Sequence, residues 1–187
     1  MILLETPRLR LRRFTPDDVD RLVELDSDPE VMRYITGGRP TPRELYVTTF
    51  MPRWWEIYAK QPLLGYWAAE RLPDLEFLGW FHLRDDRIEP EYLELGYRLK
   101  RAAWGQGYAT EGGRALVAHG FERAGAERIS ARTLLGNRAS QRVMEKCGLR
   151  RTGEFVYPDT LGLGETEDER RACKYELSRA EWLASRA

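Results

Sequence analysis

Between Lys100 and Phe121 the chain reads KRAAWGQGYATEGGRALVAHGF, with Gly105, Gly107, Gly112 and Gly113 crowded where a helix is about to begin. A glycine inside a helix costs about 1 kcal/mol relative to alanine. Four of them mark backbone that must adopt positive φ or be approached very closely. Upstream, Glu91 to Leu99 reads as a strand. Downstream, Ala109, Leu116, Val117, Phe121 and Ala124 form a helical stripe that Gly125 ends. Strand, tight glycine turn, helix aims several backbone N–H groups and the positive end of a helix dipole at one spot, which suits a phosphate. A purely structural strand-to-helix corner is the plain alternative.

Around this corner the pattern is mixed. Arg8-Leu9-Arg10-Leu11-Arg12 alternates as an opening strand, and Thr15-Pro16-Asp17-Asp18 supplies a cap, a first-turn proline and acids for a helix carrying Val19, Leu22, Val23 and Leu25. A short piece follows Asp28-Pro29-Glu30, and Thr41-Pro42-Arg43-Glu44 opens a helix reaching about Ala59. Strands are predicted over Leu64–Arg71, Glu76–Arg84, Arg128–Thr133, Leu149–Phe155 and Arg171–Leu177, with a helix over Asn137–Lys146 stopped by Gly148. No repeat, low-complexity tract or linker interrupts them. Residues 1–187 read as a single domain of α/β class with a mixed sheet.

Composition narrows the function. Thirty basic and thirty acidic side chains cancel, with no basic run, which argues against nucleic acid as the main partner. The apolar runs are too short to span a membrane, and Glu5, Pro7 and Arg8 end the Met1–Leu4 run too early for a signal peptide, so the expected location is cytoplasmic. Cys147 and Cys173 read as reduced thiols. Neither they nor His82 and His119 have metal-ligand spacing, so no metal is expected.

Known phosphate loops fit poorly. A P-loop needs lysine and a hydroxyl after its last glycine, where Gly113-Arg114 stands. A dinucleotide fingerprint needs a third glycine, where Thr110 stands. What remains is Gly105-Gln106-Gly107-Tyr108-Ala109 behind Trp104. "WGQGYATE", with Asn137-x-x-Ser140, Glu145-Lys146-x-Gly148-Leu149 and the opening Glu5-Thr6-x-Arg8-Leu9-x-Leu11-Arg12, resembles the GNAT superfamily of acetyl-CoA-dependent N-acetyltransferases, its RimJ/RimL-type branch in particular. The resemblance spans nearly the whole chain, with leucine at 149 where phenylalanine is usual.

The resemblance implies a GNAT fold: a central twisted, mostly antiparallel sheet splayed after the fourth strand and flanked by about four helices. It implies acetyl-CoA as co-substrate, and acetyl transfer by direct attack of a primary amine, from a protein N-terminus such as a ribosomal protein or from a small molecule. A homodimer is compatible with it. The pantetheine arm would pair with the backbones of Tyr97, Arg98 and Leu99. The amides of Gly105, Gln106, Gly107, Tyr108, Ala109 and Thr110 would hold the pyrophosphate, and Asn137 would reach the arm while capping its helix. Gly96 is expected at a bulge or close approach that splays the sheet.

Glu94, leaving the apolar face between Leu93 and Leu95, is the candidate general base; a solvated strand carboxylate is the alternative. The family's general acid, a tyrosine seven residues after the asparagine, is replaced by Met144. Ser140 is the substitute donor to the leaving sulfur, unless it is only a helix-surface hydroxyl. Glu111 is expected to pair with its helix dipole. One of Trp54 and Trp55 is expected in the core, and Glu165, Glu167, Asp168 and Glu169 could attract a cationic amine or be merely solvated. An acyl-CoA-binding module without turnover is the competing function.

Overall fold

The alternation around Leu9 does build a strand, and the structure adds a partner ahead of it. Ile2–Glu5 (β1) pairs antiparallel with Leu9–Arg13 (β2), so the apolar start of the chain is a sheet edge. A computed structural model describes residues 1–159, 163–164 and 166–186. After β2 come α1 (Val19–Ser27), α2 (Pro29–Thr36), α3 (Arg43–Leu45) and α4 (Met51–Lys60), then β3 (Gly65–Arg71), β4 (Phe77–Asp85) and β5 (Leu93–Leu99). The second half is α5 (Tyr108–Glu122), β6 (Arg128–Leu134), α6 (Arg138–Lys146), β7 (Arg150–Val156), β8 (Arg171–Ser178) and a C-terminal α7 (Arg179–Ala184).

The strands form one eight-stranded sheet in the order β1-β2-β3-β4-β5-β6-β8-β7. Every junction is antiparallel except β5–β6, which is parallel and pairs only at Leu93–Ile129 and Glu94–Ser130. Past Glu94 the pairing stops and the sheet opens. This split follows the fourth of the strands predicted from the pattern; the additional β1 makes it the fifth.

Packing explains half of the glycines. A Cβ on Gly112 would lie 2.4 Å from the Phe81 ring, and one on Gly113 would lie 2.7 Å from Cys147 Sγ. These two residues let α5 lie close on β4 and against α6. Gly105 and Gly107 instead have φ of 72° and 84°, the left-handed region that glycine alone enters without strain. Gly96 is not at a bulge. The β4–β5 ladder is regular from Gly79–Leu99 to Asp85–Leu93, and the His82 imidazole covers Gly96, with Cε1 2.4 Å from where a Cβ would stand.

The opposite face of the sheet is covered by the α1–α4 region. Helix 41–59 is interrupted by a π-helical turn, Tyr46–Phe50. This turn carries Tyr46, whose hydroxyl donates to the buried Asp26 carboxylate at 2.5 Å. Asp26 also accepts from Thr41 (2.5 Å) and from Arg98 Nη1 (2.5 and 2.6 Å), so α1 and α3–α4 are tied to β5. Trp54 is buried and stacks on Tyr66 at 4.6 Å, while Trp55 is exposed.

Because the Phe81 ring is fully buried, Gly112→Ala must push the helix off the sheet. We expect a loss of about 1–3 kcal/mol, the usual range for overpacking, read as a lower urea midpoint at unchanged m-value. An unchanged midpoint would mean that α5 has room to spare there.

Candidate active site

The glycine turn is fixed from outside. Glu111, on the first turn of α5, accepts from Thr6 Oγ1 (2.6 Å), Arg8 N (3.0 Å) and Arg8 Nε (2.6 Å). Arg8 in turn donates through Nη1 to the Gln106 carbonyl (3.0 Å), and its guanidinium lies over the Tyr108 ring at 4.6 Å. Burial raises the Glu111 pKa, but the bonds from Thr6 and Arg8 outweigh it and hold the carboxyl below its usual value. The opening motif and the glycine turn are therefore one structure. The sequence displayed both pieces without showing that they touch; Glu111 is more a clamp than a dipole partner.

Held this way, the turn presents the amides of Gly105, Gln106, Gly107, Tyr108, Ala109 and Thr110 without an acceptor among the described residues. The first donor spoken for is Glu111 N, which bonds the Gly107 carbonyl at 3.0 Å. Around Gly105 nothing lies within 4 Å of a would-be Cβ. Successive unpaired amides at a helix N-terminus make an anion site by geometry alone.

The β5 edge leads into this turn. Lys100 N bonds the Leu78 carbonyl, which makes Gly79–Leu99 a non-hydrogen-bonded pair. By alternation Arg98 exchanges its backbone bonds with Trp80, while Tyr97 and Leu99 turn theirs to the split. Arg98 is thus corrected from a backbone contact to a side-chain anchor on Asp26. The Leu99 carbonyl accepts from Trp104 Nε1 at 2.9 Å, leaving its N–H and both Tyr97 groups along the open edge.

Across the split stands the start of α6. Asn137 Oδ1 caps the helix by accepting from Ser140 N at 3.1 Å, which leaves its amide NH2 to donate. Met144 is buried in the core and belongs to packing. The Ser140 hydroxyl lies 2.9 Å from the Tyr97 hydroxyl, which is also 3.2 Å from the Ser140 carbonyl oxygen.

Glu94 lies on the other face of β5, with Gly96 and Arg98. It is paired with Arg84, and Arg132 Nη1 is 3.7 Å from its Oε1. Burial and then the Asp86 charge raise its pKa against the pull of Arg84 and Arg132. Next to it the His82 Nε2 is 3.9 Å from Glu94 Oε2, and neither ring nitrogen has a hydrogen-bond partner among the described residues. Below the split, Asp86 accepts from Ser130 Oγ (2.6 Å) and Arg132 Nη1 (2.5 Å), which ties the end of β4 to β6. Among its described residues the acidic loop gives no comparable cluster. Glu167 and Asp168 are exposed, Glu169 Oε2 accepts from Thr166 N at 3.0 Å, and Glu165 lies outside the described residues. Among the described residues no group of three His, Cys, Asp or Glu could hold a metal ion, and no helix is long and apolar enough to cross a membrane.

Comparison with known proteins identifies the family. The family profile described as "Acetyltransferase (GNAT) domain" matches residues 8–150. FsC-acetyl coenzyme A-N(2)-transacetylase of Aspergillus fumigatus is 33% identical over 96% of this chain and 77% of its own. An acetyltransferase (GNAT family) from Bacillus anthracis superposes with a TM-score of 0.76 at 24% identity, over 96% of this chain and 99% of that one. RimL, a ribosomal L7/L12 α-N-protein acetyltransferase in complex with coenzyme A, superposes at 0.77 with 16% identity, over 95% and 98%.

Desolvation above all, then the charges of Arg84, Arg87 and Arg98, hold the His82 pKa well below its ordinary value. The unfolded chain therefore binds a proton there at a higher pH than the folded one, and stability falls as pH drops below about 6.5. The Glu94 carboxylate near the ring is matched by Arg84. We expect the melting temperature to decline between about pH 6.5 and 5, and His82→Phe to lessen that decline, the remainder belonging to His119, which burial also holds low. An identical slope in the variant would contradict a neutral, unpartnered ring.

Proposed function

The chain belongs to the GNAT acetyltransferase family, and from that premise we propose that it moves an acetyl group from acetyl-CoA to a primary amine in one ternary complex. The observation that carries this reading is the row of free amides from Gly105 to Thr110 placed at the end of an open β5 edge. A pyrophosphate on those amides sends the pantetheine arm along Tyr97 and Leu99, with Asn137 donating from the α6 side.

The two faces of β5 then divide the work. Tyr97 points to α6, whereas Glu94 and Arg98 point to the α1–α4 side, so cofactor and amine approach the thioester from opposite faces. Holding both partners there replaces most of the entropy cost of their encounter. The amine must be neutral to attack, and Glu94, with its basicity raised by burial, takes the proton. Arg84, its cross-strand partner on β4, fixes the carboxylate by an ion pair. Sulfur leaves with a hydrogen bond from Ser140. For the acceptor, the three motifs favour the RimJ/RimL type of substrate, a protein N-terminus, and the fungal transacetylase favours a small-molecule amine. The cytoplasm, where acetyl-CoA is available, is the compartment this reading requires.

Free-thiol release from acetyl-CoA, read across ribosomal-protein N-terminal peptides, polyamines, amino acids and aminoglycosides, tests it directly. At least one amine should turn over, and Glu94→Gln should cut kcat by about 10²–10⁴-fold with a smaller change in KM. Binding of acetyl-CoA with no turnover for any amine would move the reading to a non-catalytic acyl-CoA module.

A further inference from the structure

The position that would carry a proton-donating tyrosine on α6 holds Met144, buried in the core, yet a tyrosine hydroxyl stands at the start of that helix from another strand. It belongs to Tyr97 of β5 and lies 2.9 Å from Ser140 Oγ. Tyr97 is also the residue whose backbone groups line the open edge. The hydroxyl pair therefore bridges the two sides of the split, between the strand that would hold the pantetheine arm and the helix that Asn137 caps.

Two hydroxyls in contact share one hydrogen bond and keep one proton over. The Tyr97 O–H has two acceptors near it, Ser140 Oγ and, at 3.2 Å, the Ser140 carbonyl. The phenol proton thus has an acceptor on α6 in either arrangement of the pair, and when it goes to Ser140 Oγ the Ser140 hydroxyl proton is left for a ligand. Burial, only partly offset by the Ser140 bond, raises the phenol pKa above its ordinary value. Tyr97 thus stays a protonated donor throughout the working pH range. It is not acidic enough to give its proton away to a thiolate, whose own pKa lies near 8.5.

Resting on the acetyl-CoA reading above, we propose that Tyr97 is a positioning residue that turns the Ser140 hydroxyl onto the leaving sulfur. The step balances without a buried acid. The amine nitrogen forms its bond to the carbonyl carbon, the C–S bond breaks, and its electron pair goes to sulfur. The amine proton passes to Glu94 and then to water. The thiolate accepts a hydrogen bond from Ser140, itself polarised by Tyr97, and takes a proton from solvent as coenzyme A departs. Two coupled hydroxyls replace one acid.

Coenzyme A itself is the probe, so the test needs no acceptor amine. Its affinity is measured by calorimetry from pH 6.5 to 9.5, with desulfo-coenzyme A as the control for phosphate titration and for changes in the protein. A stabilised thiolate makes coenzyme A bind about tenfold tighter as pH passes the thiol pKa, while desulfo-coenzyme A stays flat. Tyr97→Phe and Ser140→Ala should each reduce that rise to about twofold or less. The double variant should go no lower, because the two act as one unit. Unchanged circular dichroism and melting temperature in each variant, with desulfo-coenzyme A still bound independently of pH, separate positioning from damage to the fold. An undiminished rise in Tyr97→Phe, or an equal rise with desulfo-coenzyme A, would overturn the proposal. Absence of coenzyme A binding to the unmodified protein at any pH would instead defeat the acetyl-CoA reading on which it rests.

Discussion

Everything about the site depends on two neighbouring strands that pair for two residues and then part. β5 and β6 are joined at Leu93–Ile129 and Glu94–Ser130 and nowhere beyond. A strand edge inside a sheet carries unpaired amides and carbonyls at a cost comparable to lost hydrogen bonds. Such an edge persists only where something else can pair with it. The base of the split is fastened by Asp86, which Ser130 and Arg132 reach from β6. At the top, Trp104 takes the Leu99 carbonyl and turns the chain into the glycine corner. What lies between is the open backbone of Tyr97 and Leu99.

Charge is distributed to suit this opening. The glycine turn gathers donors: six amides and a helix N-terminus, with Arg8 beside them. Glu111, the carboxylate on the first turn of α5, is taken up by Thr6 and Arg8, which offsets its charge toward an anion. On the other face of β5 the arginines are paired: Arg98 with Asp26, Arg132 with Asp86, Arg84 with Glu94. The glycine turn thus offers unpaired donors, and the other face of β5 holds a carboxylate paired with an arginine.

Much of this could be read from the residues, for local reasons. Helix stripes, caps and the strand at Leu9 are set by neighbours a few positions apart, and the glycine corner showed itself through residues that only a special backbone needs. What escaped were contacts between distant segments. Thr6 and Arg8 are about a hundred residues from Glu111 in the chain, and no local pattern says that they meet. Gly96 looked like a bulge because a strand glycine often is one, yet here its missing side chain accommodates the His82 ring. β1 was missed because four apolar residues at a chain start have no partner until β2 is folded beside them. Gly112 and Gly113 were legible as unusual, but which of the four glycines serve packing and which serve a left-handed backbone required the positions of Phe81 and Cys147. The Tyr97–Ser140 pair was hidden for the same reason, since each residue alone reads as ordinary.

In the function proposed here the amides from Gly105 to Thr110 receive the pyrophosphate, and the open β5 edge receives the arm beyond it. Amide chemical shifts of ¹⁵N-labelled protein, followed while coenzyme A and pantetheine are titrated separately, test this most directly. Coenzyme A should shift the Gly105–Thr110 amides strongly and the Tyr97 and Leu99 amides as well. Pantetheine, which lacks the pyrophosphate, should leave the turn amides nearly unmoved. Large shifts confined to other parts of the sheet, with the glycine turn silent under coenzyme A, would contradict it.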